Sequence, residues 1–307
     1  MSAPLLLSVV VPTHNRAQDL AVAVRSVLEQ QVEHLEVVVV DDGSSDDTAE
    51  VLDRLCDTDK RIRVVRNDVA EGPCVARNLG LDAAEGELVA TCDDDDKWLD
   101  GAGRTMVEFM SENPAVGAAS SWHEVVHGSR NVTFRGPIDY SARILLWVNV
   151  VAIPFIVMRR SAFAVDPRYD PSFAGGEDWE LCLRCALEQP IRSVPAPLYS
   201  YVQRGSGRVT SDKTMPRRVR QAFVEKHGEQ MSRTCIAYHK AVGDLAADGR
   251  SYMLREMAEG VRRSPSNTAA AMGAASFLST AMIAARVGVR RGDPGLAARV
   301  MTRLIDR

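Results

Sequence analysis

Residues 35–48, LEVVVVDDGSSDDT, decide the fold. A short β-branched run from Leu35 to Val40 suits a strand buried on both faces, and it stops abruptly at two aspartates and a glycine. The DDT that follows opens a helix in which Val51, Leu52 and Leu55 share one face. Similar runs flank this unit at Leu5–Val11, Ile62–Val65 and Glu87–Thr91. Between them lie two more helical stretches, one with Leu20, Val24, Val27 and Leu28 on one face and one over Cys74–Ala84. Strand–helix–strand repetition at this spacing predicts an α/β fold with a mainly parallel central sheet flanked by helices. Past residue 110 the pattern loosens, with strands expected near Val116–Ser120 and Phe155–Arg159. A helix is expected to open at Gly175-Gly176-Glu177-Asp178-Trp179 and run to about Leu187. From Lys213 onward the reading is an α-helical C-terminal extension, with Ser264-Pro265 and Asp293-Pro294 as helix starts.

The 307 residues are 46% apolar and 25% charged, which excludes disordered, collagen-like and disulfide-scaffold classes. A formal net charge of −4 offers no nucleic-acid-type basic excess. That total conceals an asymmetry: residues 1–203 hold 18 Lys and Arg against 32 Asp and Glu, while residues 204–307 hold 19 against 9. Six cysteines are too few for a disulfide framework, and the lone Cys182-x-x-Cys185 lacks a second pair to complete a metal site. Packed thiols in a reducing compartment are expected. The N-terminus has no basic region ahead of its short apolar stretch, so no signal peptide is expected. The uncharged residues 264–285 are too rich in Ala, Ser, Gly and Thr to read as a spanning helix. The expected location is cytoplasmic.

Ligands of parallel sheets collect at the carboxyl ends of the strands. There the chain places Pro12-Thr13-His14-Asn15-Arg16, Asp41-Asp42-Gly43-Ser44 and Asp93-Asp94-Asp95-Asp96. Four crowded carboxylates repel one another and favour a cation. Hard oxygen ligands suit Mg²⁺ or Mn²⁺, with phosphate oxygens completing the shell; the competing reading is a solvated acidic loop. Asp42 is placed to accept hydrogen bonds from a base or ribose, or else Asp41, Asp42 and Ser44 cap the next helix, where Asp46 also belongs. Glu177-Asp178 at a helix start suits capping or, for a carboxylate there, a general base on an acceptor hydroxyl. No G-x-G-x-x-G or G-x-x-x-x-G-K-[ST] occurs, so neither a dinucleotide fold nor a P-loop is supported.

Five segments, VVVPTHNR (9–16), VVVVDDGSSDDT (37–48), EGPCVARNLG (71–80), GELVATCDDDDKW (86–98) and GGEDWEL (175–181), resemble in order and spacing the family 2 glycosyltransferases, which are inverting enzymes with the GT-A fold. The resemblance covers roughly residues 7–202. It implies a catalytic domain over 1–212, with a nucleotide-binding half to about residue 98 and an acceptor half over 99–212, followed by the helical region 213–307. It implies further that Pro12, Thr13, His14, Asn15 and Arg16 form the first nucleotide contact, with the His14 ring for stacking. Asp42 would read the base, usually uracil, and Arg77 would lie near the nucleotide. Asp93 and Asp95 would form the D-x-D metal element, Asp94 would lie near the ribose, Asp178 would be the catalytic base and Glu177 its structural partner. The implied reaction moves one sugar from a nucleotide-sugar donor, UDP-linked by default, to an acceptor that is a carbohydrate, a lipid-linked sugar or a small natural product.

Two departures bear on this. A His that many relatives carry after the strand following the ED helix is absent from Tyr199–Ser206, which leaves Arg204 or Arg208 to meet the diphosphate, or a basic loop facing solvent. The Q-x-x-R-W element of processive synthases is also missing. Rival readings are a nucleotidyltransferase and a sugar-nucleotide-binding protein without transferase activity. For the basic C-terminal region, with Arg217, Arg218 and Arg220 at one end and Arg286, Arg290 and Arg291 at the other, three roles compete: a helical cover over the acceptor side, a homodimer surface, and peripheral membrane contact with anionic lipid.

Overall fold

A computed structural model describes residues 6–127, 130–135, 138–147, 149, 155–164, 167–173, 175–202, 214–233, 235–236 and 238–240. The first half alternates strands and helices: β1 (Leu7–Thr13), α1 (Leu20–Leu28), β2 (Leu35–Asp42), α2 (Thr48–Thr58), β3 (Ile62–Asn67), α3 (Pro73–Ala83) and β4 (Leu88–Thr91). The second half holds β5 (Lys97–Trp98), α4 (Ala102–Glu112), β6 (Ala118–His127), β7 (Arg130–Phe134), α5 (Ala142–Leu145), β8 (Ile156–Arg159), α6 (Glu177–Glu188), β9 (Ile191–Val202) and α7 (Met215–His227).

Among the described residues these strands form one sheet in the order β3-β2-β1-β4-β8-β6-β9-β5, with β7 paired to β6. The sheet is parallel from β3 to β4 and mixed beyond: β8 runs antiparallel to β4 and β6, β9 parallel to β6, and β5 antiparallel to β9. The expected strand near Val116–Ser120 is instead the longer β6.

The valine runs are legible as two-faced strands. Val9, Val11, Val37 and Val39 point to one core with Leu20, Val24, Leu52 and Met106, while Val10, Val38 and Val40 point to the other with Leu81, Leu181 and Phe223. Helix α3 lies close against the second face because residue 80 is glycine: a Cβ there would come within 2.2 Å of Val10 Cγ1.

The amino ends of the strands are tied by a closed polar cluster. Glu36 accepts from the Ser8 hydroxyl, from the Glu85 amide at 2.6 Å and from Arg63 at 3.0 Å, and Ser8 in turn accepts from the Gly86 amide at 2.7 Å. Arg63 also reaches the Ala83 carbonyl and Glu85.

Helix α7 packs on the helix that carries the ED motif. The Phe223 ring stacks on Trp179 at 3.9 Å, and Trp179 Nε1 donates to the Leu145 carbonyl at 2.6 Å. Arg220, which with Arg217 and Arg218 begins the basic C-terminal region, is turned inward: its guanidinium lies over Trp179 and Tyr238 and contacts His239. Two residues on from Arg218 is roughly 200° round the helix, so Arg220 meets a different environment, and cation–π contact holds its guanidinium against the two rings. Arg217 and Arg218 are exposed. Arg204, Arg208, the stretch 264–285, the helix starts at Ser264 and Asp293, and Arg286, Arg290 and Arg291 lie outside the described residues. Among the described residues no helix is long and apolar enough to cross a membrane.

Candidate active site

The carboxyl ends of β1, β2 and β4 bring the three predicted loops together. Asn15 is the wedge between the first two. It adopts a left-handed conformation (φ 53°), its Oδ1 accepts from the Ser45 amide at 2.8 Å and from Asp46, and its amide donates to Ser44 Oγ at 2.9 Å. His14 Nδ1 lies 2.7 Å from the Asp42 carbonyl oxygen, and its ring is exposed. Asp46 accepts from the Thr48 amide at the start of α2 and from the Ala17 amide, so it caps the helix and holds the first loop at once.

Asp42 is 4% exposed, and its carboxylate faces protein donors. Asn67 Nδ2 reaches it at 2.9 Å, the Glu71 amide at 3.0 Å and the Gly72 amide at 2.7 Å. Asp42 therefore shapes the loop that leads into α3, whatever else it contacts. Asp41 accepts from the Ser44 amide and closes its own turn.

The four consecutive aspartates point to four different partners. Asp93 meets Arg77 at 2.8 Å, Asp94 accepts from Thr13 Oγ1 at 2.7 Å, and Asp95 lies 3.8 Å from Arg16. Asp96 accepts from Tyr199 Oη at 2.9 Å and from the Val202 amide at 3.0 Å. Fanning the carboxylates apart relieves the mutual repulsion that a shared direction would impose. Burial, only partly offset by Thr13, pushes Asp94 up to about 7, and burial with Asp93 nearby pushes Asp96 well above the usual carboxylate range.

Arg77 joins the acid loop to the ED motif. It is 4% exposed, and its second terminal nitrogen donates to Glu177 at 3.1 Å while the guanidinium lies 5.1 Å from the centre of the Tyr169 ring. Its neighbour Asn78 holds the strap before the ED loop, donating to the Tyr169 carbonyl and accepting from the Tyr169 amide, both at 2.8 Å. Next to Arg77, Asp178 Oδ1 is buried, and among the described residues no donor reaches it. Burial first, then the negative charges of Glu177 and Asp93, push Asp178 well above its ordinary range despite Arg77.

The ED loop is held from behind by α7. Gly175 and Gly176 have φ of 111° and 73°, and Cβ atoms there would come within 2.8 Å of Met215 Sδ and 2.6 Å of Val219 Cγ1. Glycine is needed both for the left-handed backbone and for the helix's approach. One turn on, Glu180 is fully buried among Arg184 at 2.9 Å, Lys226 at 2.8 Å and His227 at 3.1 Å.

Among the described residues no group of three or more His, Cys, Asp or Glu is arranged to hold a metal ion. Asp93 and Asp95 offer two hard carboxylates on one turn, which is the donor type and number for an ion whose remaining ligands come from phosphate and water.

This arrangement can be set beside known proteins. The sequence model described as "Glycosyl transferase family 2" matches residues 8–164. The chain belongs to glycosyl transferase family 2. Among curated relatives, an uncharacterized glycosyltransferase of Rickettsia conorii is 37% identical over 195 residues, covering 62% of this chain and 32% of that protein. The GalNAc(5)-diNAcBac-PP-undecaprenol beta-1,3-glucosyltransferase of Campylobacter jejuni is 44% identical over 110 residues, 36% of each chain. The matches thus span about a third of the length of these relatives. Among solved structures, S. aureus TarS 1-349 in complex with UDP-GlcNAc superposes with a TM-score of 0.64 at 18% identity, over 97% of this chain and 90% of that one. The mannosyltransferase PcManGT from Pyrobaculum calidifontis, in complex with GDP-Man and Mn²⁺, gives 0.58 at 20% identity over 97% and 87%. The fold is therefore that of the GT-A glycosyltransferases.

All twelve site residues named from the sequence lie at the carboxyl ends of β1 and β2, on the loops at this end of the sheet, or in the first two turns of α3 and α6. Asp94, expected near the ribose, accepts from Thr13 Oγ1 through its Oδ2. Asn78, Tyr169, Glu180 and Tyr199 take no role in the sequence reading, and Asp96 enters it only as one of four crowded carboxylates. Asn78 and Glu180 stood inside the quoted motifs, but a polar residue's direction within a helix is set by what packs over it.

Proposed function

We propose that the protein is an inverting glycosyltransferase that uses a divalent metal and a nucleotide-sugar donor, with Asp178 as the general base. The observation that carries this is the buried, donor-free Oδ1 of Asp178, set beside Arg77 between two acidic motifs. An unpartnered buried acceptor is costly to keep, on the order of 1–3 kcal/mol, and an acceptor hydroxyl is the group that would satisfy it. Its raised affinity for protons suits a base that must hold one at the end of the step.

In this reading the acceptor oxygen attacks the anomeric carbon as its proton passes to Asp178, and the bond from that carbon to the diphosphate oxygen breaks. Glu177 and Asp93 share Arg77, which keeps the base and the donor side in register. Asp93 and Asp95 would hold Mn²⁺ or Mg²⁺, which supplies Lewis-acid stabilisation of the leaving diphosphate. The surrounding charge supports this: a site with this many carboxylates would otherwise repel a diphosphate. The Pro12–Arg16 loop, His14 and Asp42 would form the base pocket. The catalytic unit is residues 1–212 together with α7, since α7 completes the wall behind the ED loop.

UDP is the favoured donor nucleotide, and a lipid-linked sugar the favoured acceptor. The name of the C. jejuni relative carries a PP-undecaprenol-linked sugar, and that of an Escherichia coli relative, "UDP-Glc:alpha-D-GlcNAc-diphosphoundecaprenol beta-1,3-glucosyltransferase WfaP", 27% identical over half of this chain, carries both UDP-Glc and such a sugar. The test is a panel of UDP-, dTDP- and GDP-sugars with Mn²⁺, read by nucleoside diphosphate release with and without a polyprenyl-diphosphate-linked sugar. Acceptor-stimulated release from a UDP-sugar is expected. Neither turnover nor binding of any sugar nucleotide with metal present would overturn the reading.

A further inference from the structure

We propose that Asp96 is a positioning residue: by latching onto Tyr199 and the backbone of Val202, it fixes the turn that aims Asp93 and Asp95 at a nucleotide-bound metal. This rests on the metal-and-nucleotide reading of the site. Asp96 is 1% exposed, and among the described residues no Lys, Arg or His pairs with it. Burying a carboxylate without a cation is unfavourable, and such groups persist where several hydrogen bonds hold them. Here the two oxygens take one donor each, both from β9: Oδ2 from Tyr199 Oη and Oδ1 from the Val202 amide.

Two anchors on one strand fix orientation as well as distance. The Asp96 amide also donates to the Asp93 carbonyl at 3.2 Å, so the latched residue closes the turn that carries Asp93 and Asp95. Immediately afterwards Lys97 and Trp98 pair with Ser200 and Tyr199 of β9. The strand end of the latch is rigid: Tyr199 is fully buried, its ring 5.2 Å from that of Phe155, which meets Trp98 edge-on at 5.0 Å. Strand β9 leads directly from the base-bearing α6, so Asp96 links the metal turn to the element that follows the base. Metal ligands held even about an ångström out of place lose affinity, which is why the groups supporting them matter.

Tyr199→Phe deletes one anchor while keeping the ring in its aromatic cluster. Asp96→Ala deletes both from the loop side and serves if the first variant misfolds. Asp96→Asn keeps both contacts, since the Tyr199 hydroxyl can turn to accept from the amide. Glu36→Gln, at the opposite end of the sheet, controls for general destabilisation. The readout is Mn²⁺ binding in the presence of UDP, followed by electron paramagnetic resonance. Tyr199→Phe, or Asp96→Ala, is expected to weaken Mn²⁺ binding about fivefold or more, with Asp96→Asn and Glu36→Gln within about twofold of the parent. The proposal is overturned if Tyr199→Phe folds and binds Mn²⁺ within twofold of the parent. It is equally overturned if Asp96→Asn loses as much as Asp96→Ala, which would make Asp96 a ligand, or if Glu36→Gln loses as much as Tyr199→Phe. Should the parent itself bind no Mn²⁺ with UDP, the metal-and-nucleotide reading fails and the latch falls with it.

Discussion

Glu36, a buried acid, and Asp178, an acid with one buried oxygen, lie at opposite ends of one sheet, and their surroundings treat them in opposite ways. Burial alone would raise Glu36, yet the Ser8 hydroxyl, the Glu85 amide and Arg63 outweigh it and hold the carboxyl below its ordinary range. At Asp178 burial is reinforced by Glu177 and Asp93, Arg77 compensates only in part, and the carboxyl is pushed up. The amino end of the sheet is a closed set of satisfied polar groups. The carboxyl end keeps an acceptor without a donor, which is the pattern expected where stability gives way to ligand chemistry.

The largest effect should come from Asp178→Asn. This change keeps size and shape while removing the ability to take a proton, so transfer should fall by roughly 10²–10⁴-fold. Binding of UDP with Mn²⁺, measured by calorimetry, should stay within a few-fold of the parent. Loss of nucleotide binding in place of transfer would move Asp178 from base to binding group and would break the contrast with Glu36.

Glu180 sharpens the contrast, because it sits two residues from Asp178 yet behaves like Glu36. Burial raises it, but His227, Arg184 and Lys226 outweigh burial and hold it at about 2, against an ordinary 4.5. A folded-state value below the unfolded one contributes stability that is present above pH 5 and lost as pH falls toward 2. The contribution is on the order of 3 kcal/mol. Urea midpoints between pH 6 and 3 should fall, and Glu180→Gln should flatten the fall. An unchanged slope in that variant would show that the three cations do not act through Glu180.

Glu36→Gln should destabilise the fold by about 2 kcal/mol, discounted because Arg63 is partly exposed. Its kinetics, once folded, should match the parent. A change in donor KM would mean that the two ends of the sheet are coupled.

Much of this was legible in the sequence, and the limits have physical causes. The alternating valines of β1 and β2 announce strands buried on both faces, and chain connectivity then places Pro12–Arg16, Asp42 and Asp93–Asp96 at one end. Strand β9 was hidden by Pro195 and Pro197, which ordinarily argue against an interior strand; the register against β6 shifts there, at Ser121–His123. Strand β6 ran on past Ser120 through polar residues that do not read as an apolar run. Side-chain direction within an acidic run was the least legible feature. Nothing in four identical residues says that one faces Thr13, one Arg16, one Arg77 and one Tyr199, because those partners arrive from three separate segments: the end of β1 and its loop, α3 and β9.

Thr13→Val is the smallest change and tests how far the fanned arrangement matters. Valine replaces the hydroxyl with a methyl of similar size, so packing beside β2 is retained and only the 2.7 Å bond to Asp94 is lost. A single buried hydrogen bond to a carboxyl contributes about 1–2 kcal/mol, and Asp94 is left in the same enclosed position without its donor. If that bond serves stability alone, the urea midpoint drops and the donor KM is unchanged. If it also sets the spacing between the first loop and the acid turn, the donor KM rises several-fold for a similar loss of stability. The second outcome is expected, because Thr13 is the last residue of β1 and Asp94 lies in the middle of the acid turn, and Arg16 and Asp95 form an ion pair between the same two loops. A loss of stability with an unaltered KM would place Asp94 with Glu36, among the groups that hold the sheet together.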